Sequence, residues 1–139
     1  MASQHKYAGA SASISTSLDT GKIVQIAEQA AKEAETLQVT MRLEESTPER
    51  LVYSVRNRVT GGRIEFMTFE VALKGDSAIR TVKTRILTYK QKRQWLLVIP
   101  LPWQMMAWRN YKQFMHALAA GIRAGDSSAK TNVVELAQV

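Results

Sequence analysis

Carboxylates and imidazoles that could act as general acids or bases are spaced in this sequence so that they do not meet. Glu65 and Glu70 lie on one predicted strand but five positions apart, so their side chains point to opposite faces. From that strand alone they cannot form the carboxylate pair that glycoside hydrolysis needs. The two histidines are His5, close to the N-terminus, and His116, which is flanked by apolar residues in a predicted helix. We therefore expect a protein that is not an enzyme.

Cysteine is absent from the 139 residues, which excludes disulfides, thiolate metal sites and cysteine nucleophiles. With so few histidines, a multi-histidine metal site is not expected either. Gly61-Gly62 is expected to form a hairpin turn and not a phosphate cradle, because no helix is predicted after it. The sequence thus predicts neither a metal nor a cofactor.

The apolar segments of the chain are short. The N-terminal residues lack the apolar core of a signal peptide, and the longest apolar run, Trp95–Trp108, is broken by Pro100, Pro102 and Gln104. A bilayer span needs about 20 apolar residues, so we expect no membrane span. Together with the absence of cysteine, these features predict a cytoplasmic protein.

Aromatic and methionine side chains crowd into the region from Trp95 to Met115. Most of them are expected in the hydrophobic core, where a long helix from Trp103 to Ala124 crosses a sheet. Apolar residues cover more of the circumference of this predicted helix than can pack against the sheet. The apolar side chains that do not face the sheet are available to contact a ligand. The candidate ligand-binding residues are Trp95, Trp103, Met106, Trp108, Tyr111 and Met115.

The apolar face of the helix that does not pack on the sheet predicts a binding function. The sequence leaves two alternatives for what binds there. The first hypothesis is a non-enzymatic binding domain that holds a lipophilic small molecule or an acyl chain between the C-terminal helix and the sheet. The alternative is a protein-interaction module that uses the same helix face to form a homo-oligomer.

The net charge of +7 is unevenly placed along the chain. The stretch 77–125 has nine basic residues and no Asp or Glu, and the remainder is close to neutral. The positive electrostatic field of such a stretch attracts anions. A second alternative is therefore a domain that binds nucleic acid or lipid headgroups weakly. The competing interpretation is that acidic side chains of the N-terminal half pack against this stretch. The candidate anion-binding residues are Lys83, Arg85, Lys90, Lys92 and Arg93.

Hydrophobic periodicity predicts one α+β domain at residues 11–125, with flexible tails at 1–10 and 126–139. A helix rich in alanine is predicted after a short edge strand, lying close against the sheet, and Trp95–Ile99 is expected to be the last strand, ended by Pro100. The order β-α-β-β-β-β-β-α predicts an antiparallel sheet of five or six strands, with both helices on one face. Alternating residues place the other strands near 11–17, 37–44, 51–59, 63–74 and 78–89.

This element order resembles that of small helix-grip domains of the START and polyketide-cyclase type, in which a curved sheet wraps a long C-terminal helix. The resemblance covers residues 11–124 and rests on element order alone. It implies a cavity between the helix and the sheet. The single N-terminal helix, where larger relatives carry two, implies a shorter wall for that cavity.

The basic segment Lys90–Arg93, a predicted charged turn, offers a direct test of the anion hypothesis. Changing Lys90, Lys92 and Arg93 together to Gln should weaken binding to anionic vesicles or polynucleotide and flatten its salt dependence, because fewer counterions are released. The melting temperature should hardly change, since exposed ion pairs contribute about 0–1 kcal/mol. Wild-type protein that binds neither vesicles nor polynucleotide at low ionic strength would contradict the hypothesis.

Overall fold

The computed structural model describes residues 9–58, 60–75, 78–89, 93–96 and 99–135, and for residues 89, 93–96 and 99–106 it describes the backbone alone. Residues 1–8 of the predicted N-terminal tail therefore lie outside the described residues. The described chain forms, in order, β1 Ser11–Thr16, α1 Thr20–Ala34, β2 Val39–Thr47, β3 Arg50–Asn57, β4 Glu65–Gly75, β5 Arg80–Tyr89, β6 Arg93–Leu96, β7 Ile99–Pro102, α2 Trp103–Gly125 and β8 Lys130–Val134.

Six of the described strands form one antiparallel sheet in the order β2-β3-β4-β5-β1-β8. The predicted α+β class, the antiparallel sheet, the helix after the first strand and the long C-terminal helix are confirmed. The first strand, however, is not at an edge. Ser13 of β1 faces Lys83 of β5 on one side and Asn132 of β8 on the other.

The predicted last strand, Trp95–Ile99, is divided in the structure. Trp95 lies on β6 and Ile99 on β7, and these two strands pair with each other in a separate two-stranded sheet. Proline cannot donate to a ladder and is tolerated where a strand has a free edge. Each strand of a two-stranded ribbon has such an edge, which is why Pro100 and Pro102 lie within β7 instead of ending the strand.

The inner face of the sheet is covered by α2, which packs on it through an aromatic contact. Phe69 of β4 is central to this contact: its ring centroid lies 4.9 Å from those of Tyr111 and Phe114 in α2. The ring of Tyr53, on the neighbouring strand β3, stacks on Phe69 at 5.5 Å. Along α2 the fully buried residues of this stripe are Tyr111, Phe114, Met115, Leu118 and Ile122.

Asp19 caps the N-terminus of the first helix: its carboxylate accepts the backbone N–H of Lys22 at 2.7 Å. The alanine stripe of this helix predicts contact with the sheet, whereas α1 packs mainly against α2 and reaches the sheet at β2. The reason is that α2 already occupies the middle of the inner face. The two helices approach closely at Gly121, where a Cβ atom would lie 2.6 Å from Cγ2 of Ile26.

The predicted flexible tail at 126–139 is corrected by the structure over residues 126–135. Lys130–Val134 forms the edge strand β8, which pairs with β1 along Ser11–Ser15. This strand has too few apolar residues for its periodicity to stand out in the sequence. The Asp126-Ser-Ser turn before it is the signal that could have indicated a return of the chain.

Asp126 ties the end of α2 to the end of β1. Its Oδ2 accepts the hydroxyl of Thr16 at 2.7 Å and the backbone N–H of Ser17 at 3.0 Å. Its Oδ1 accepts the hydroxyl of Ser128 at 2.6 Å and the backbone N–H of the same residue at 3.1 Å. These bonds, that from the Ser128 hydroxyl first, hold the pKa of the Asp126 carboxyl well below its usual range.

Replacement of Asp126 by Ala should lower the melting temperature in a way that depends on pH. A lowered folded-state pKa means that the stabilisation is complete above about pH 4 and is lost as the pH falls through the lowered value. The difference in melting temperature between wild type and Asp126→Ala should therefore be constant from pH 7 to 5 and shrink below about pH 4, measured by circular dichroism. Ser127→Ala is the control and should melt like wild type. A difference that persists in full at pH 2 would contradict this role.

Candidate functional site

Two of the predicted ligand-binding residues, Tyr111 and Met115, are fully buried in the described core. The Tyr111 hydroxyl donates to the carbonyl of Ala10 at 2.8 Å and accepts from the hydroxyl of Thr84, 2.9 Å away. The Thr84 oxygen in turn accepts the backbone N–H of Ala12 at 2.8 Å. Burial raises the pKa of Tyr111, so the hydroxyl stays neutral. Tyr111 thus joins α2 to β1 and β5.

The other candidates in this set are placed only in part. Trp108 is half-buried against the core, with its ring centroid 6.5 Å from that of Tyr111. Trp95 lies on β6, and Trp103 and Met106 lie in the first turn of α2. The side chains of these three residues lie outside the described part of the structure.

The predicted anion-binding residues that are described lie on the outer face of β5. Arg85 is exposed but binds Glu70, with its Nη2 3.0 Å from Oε1 of the glutamate. Lys83 is exposed and has no carboxylate within ion-pair distance among the described residues. Arg93 lies on β6, described by its backbone, and Lys90 and Lys92 lie outside the described residues.

His116 lies within hydrogen-bond distance of a glutamate that follows β8. Its Nε2 lies 2.7 Å from Oε1 of Glu135, and Nζ of Lys112 lies 3.6 Å from the same oxygen. The bond to His116 lowers the pKa of Glu135. The three side chains thus connect the exposed side of α2 to the residue that follows β8. Within the described ranges, no group of three or more His, Asp or Glu side chains is arranged to hold a metal ion.

A groove of about 290 Å³ lies between α1 and β2. One face of the helix forms its first wall, since positions i, i+3, i+4 and i+7 share a side. The second wall is the inner face of β2, and Tyr53 of β3 forms the floor. The lining residues are Glu28, Ala31, Lys32, Glu35, Met41, Leu43 and Tyr53.

The floor residue Tyr53 has a hydroxyl that bonds to none of the described residues. The residue is 3% exposed, and its oxygen is buried without a hydrogen-bond partner among the described residues. Burial, together with the negative charge of Glu28, raises the pKa of Tyr53 to about 12. The group is therefore a neutral hydroxyl at physiological pH, able to donate one hydrogen bond and to accept others.

The charged residues of the groove differ in their partners. Glu35 is fully engaged: it accepts the hydroxyl of Thr40 at 2.5 Å and the N–H of Met41 at 3.0 Å, and it lies 3.3 Å from Nη2 of Arg58. Glu28 and Lys32 are exposed and make no ion pair with described residues. Within the described part of the chain, the groove therefore offers a carboxylate near its buried hydroxyl and an ammonium at its rim, neither of which is in an ion pair.

The sequence contains no motif that predicts this groove. Tyr53 shares the alternating pattern of β3 with Leu51 and Val55, both of which are fully buried. Nothing in that pattern separates a tyrosine with a free hydroxyl from one with partners. Only the position of α1 beside β2 creates the site.

In comparison with known proteins, the chain matches no protein-family model and no curated protein sequence. The resemblance to helix-grip domains remains a prediction based on element order. No helix in the described part of the chain combines the length and the apolar character that a bilayer crossing requires.

Two tyrosine-to-phenylalanine variants test the assignment of the free hydroxyl. Tyr53→Phe should raise the free energy of unfolding by about 1 kcal/mol, because an unsatisfied buried hydroxyl is removed. Tyr111→Phe is the matched control and should lower it by about 1–2 kcal/mol, because Ala10 and Thr84 lose their partner. Urea denaturation measures both values. A Tyr53→Phe variant that is destabilised as much as Tyr111→Phe would show that the hydroxyl has a partner.

Proposed function

We propose that this protein is a non-enzymatic binding domain for a small lipophilic molecule with one polar group, held in the groove between α1 and β2. The observation that carries the proposal is the Tyr53 hydroxyl, buried at the groove floor without a partner among the described residues. Most buried polar groups in proteins are hydrogen-bonded, and an exception needs an explanation. A ligand that bonds to this hydroxyl supplies one.

The energy at stake favours a polar contact at this point. A buried donor or acceptor without a partner costs about 1–3 kcal/mol. A ligand whose polar group reaches Tyr53 recovers this free energy in addition to what its apolar part contributes. The hydroxyl therefore acts as an anchor that orients the ligand in the groove.

The walls supply the apolar contacts. Ala31, Met41 and Leu43 line the groove, and Leu43 remains 39% exposed although it is a large aliphatic residue. Burial of apolar area contributes about 25 cal/mol per Å². With about 290 Å³, the groove is at the lower end of the range of ligand pockets, roughly 300–1,000 Å³. A compact ligand with a short hydrocarbon part matches this size.

The location differs from the one that the sequence suggested. The sequence predicts a lipophilic ligand between the C-terminal helix and the sheet, where Tyr111 and Met115 pack in the core. A ligand contact through Trp95, Trp103 or Met106 stays a prediction. The groove uses the opposite side of the helical layer, between α1 and the edge of the sheet.

Titration with n-hexanol, followed by the backbone amide signals in NMR, tests the proposal. We expect saturable shifts at Ala31, Lys32 and Leu43, and native mass spectrometry of the purified protein should detect a small molecule that co-purifies. Tyr53→Phe should weaken hexanol binding about three- to tenfold through loss of one hydrogen bond.

A pair of leucine variants provides the control for the apolar wall. Leu43→Gln should weaken binding, because Leu43 lines the groove. Leu37→Gln should leave it unchanged, because Leu37 is 90% exposed and does not line the groove. Shifts that do not saturate, or that are equally affected by both leucine variants, would contradict the proposed site.

A further inference from the structure

We infer that the ligand of this groove is a lipophilic amine, bound as its ammonium between the carboxylate of Glu28 and the hydroxyl of Tyr53. The inference rests on the proposed function, since it names the chemical class of molecule that the groove would take. Three features of the groove carry it: the free carboxylate, the acceptor capacity of the buried hydroxyl and the engagement of the second carboxylate.

Glu28 is the charged group that is available to a ligand. It has no ion-pair partner among the described residues, whereas Glu35 is bound by Arg58, Thr40 and the Met41 N–H. A charge-assisted bond from an ammonium to a carboxylate is roughly twice as strong as a bond between neutral groups. An ammonium gains this bond at Glu28, and an alcohol does not gain it to the same extent.

The Tyr53 hydroxyl also favours a positively charged head group on the ligand. Its oxygen can accept an ammonium N–H while the group remains neutral. The negative charge of Glu28 acts on this hydroxyl, as its effect on the pKa of Tyr53 indicates. A carboxylate this close to the hydroxyl favours a cationic head group over a carboxylate ligand.

Lys32 lies one helical turn from Glu28 on the same face of α1, but it makes no ion pair with Glu28 in the described structure. It is exposed, and its long stem can hold the charged end in water while the hydrocarbon part covers the groove. Strong hydration of the lysine ammonium favours that arrangement. The ligand ammonium is instead placed on the inner side, toward Tyr53.

Three probes with the same chain length separate head-group preference from groove binding: hexylamine, n-hexanol and hexanoate. Each is titrated into the full chain at pH 7, with affinity measured from the amide shifts of Ala31, Lys32 and Leu43. We expect hexylamine to bind about tenfold more tightly than n-hexanol, and hexanoate to bind most weakly. Glu28→Gln should reduce the affinity for hexylamine to about that of the same variant for n-hexanol.

Glu33→Gln is the matched control, because Glu33 is an exposed glutamate of α1 that does not line the groove. It should keep the preference for hexylamine in full. If n-hexanol or hexanoate binds the groove as tightly as hexylamine, or if Glu28→Gln keeps the amine preference, the inference is overturned and the proposed function stands. If none of the three probes gives saturable shifts in the groove, both fail.

Discussion

Phe69 lies on the inner face of the sheet, and the rings of Tyr53, Tyr111 and Phe114 all pack near it within 5.5 Å. This contact fixes α2 across the middle of the sheet, since large aromatic side chains dominate the burial of a small core. The first helix must then pack on α2, where Gly121 permits its close approach, and its main contact with the sheet is at β2. Because α1 packs on α2 and not flat on the strands, a groove is left between α1 and β2. A helix lying flat on the strands would close it.

Much of the fold can be predicted from the sequence, because alternation reports directly which side chains share a face. All alternate residues of β3 from Leu51 to Asn57 are buried, as their pattern predicts. The same reasoning fails around β2, where Leu37, just before the strand, is 90% exposed and Leu43, in the middle of the strand, is 39% exposed. Periodicity shows which face a residue takes, but not where the neighbouring elements stop covering that face. The groove lies where the helices stop covering β2. Whether a buried tyrosine hydroxyl has hydrogen-bond partners, as at Tyr111, or none among the described residues, as at Tyr53, depends on contacts between distant parts of the chain.

The uneven charge of the sequence has a partial structural explanation. Acidic residues of the sheet are mostly bound by arginines of the N-terminal half, as when Arg56 contacts Glu44 at 3.0 Å and Glu65 at 3.3 Å. From the acid-free stretch, Arg85 shares Glu70 with a second arginine. Compensation between the halves therefore accounts for some of the basic residues, and cations such as Lys83 remain without a carboxylate in the described part of the molecule.

The position of Glu35 also affects how the edge of the sheet can interact with other molecules. β2 is an edge strand of the described sheet, and an edge presents backbone N–H groups to which a strand from another molecule can add. The Glu35 carboxylate occupies the N–H of Met41, and the bulge between Leu43 and Glu45 interrupts the regular spacing of the edge that follows. A residue at the end of a helix thus protects a strand against intermolecular pairing. Without that carboxylate, the Met41 N–H would be open to a strand from another molecule.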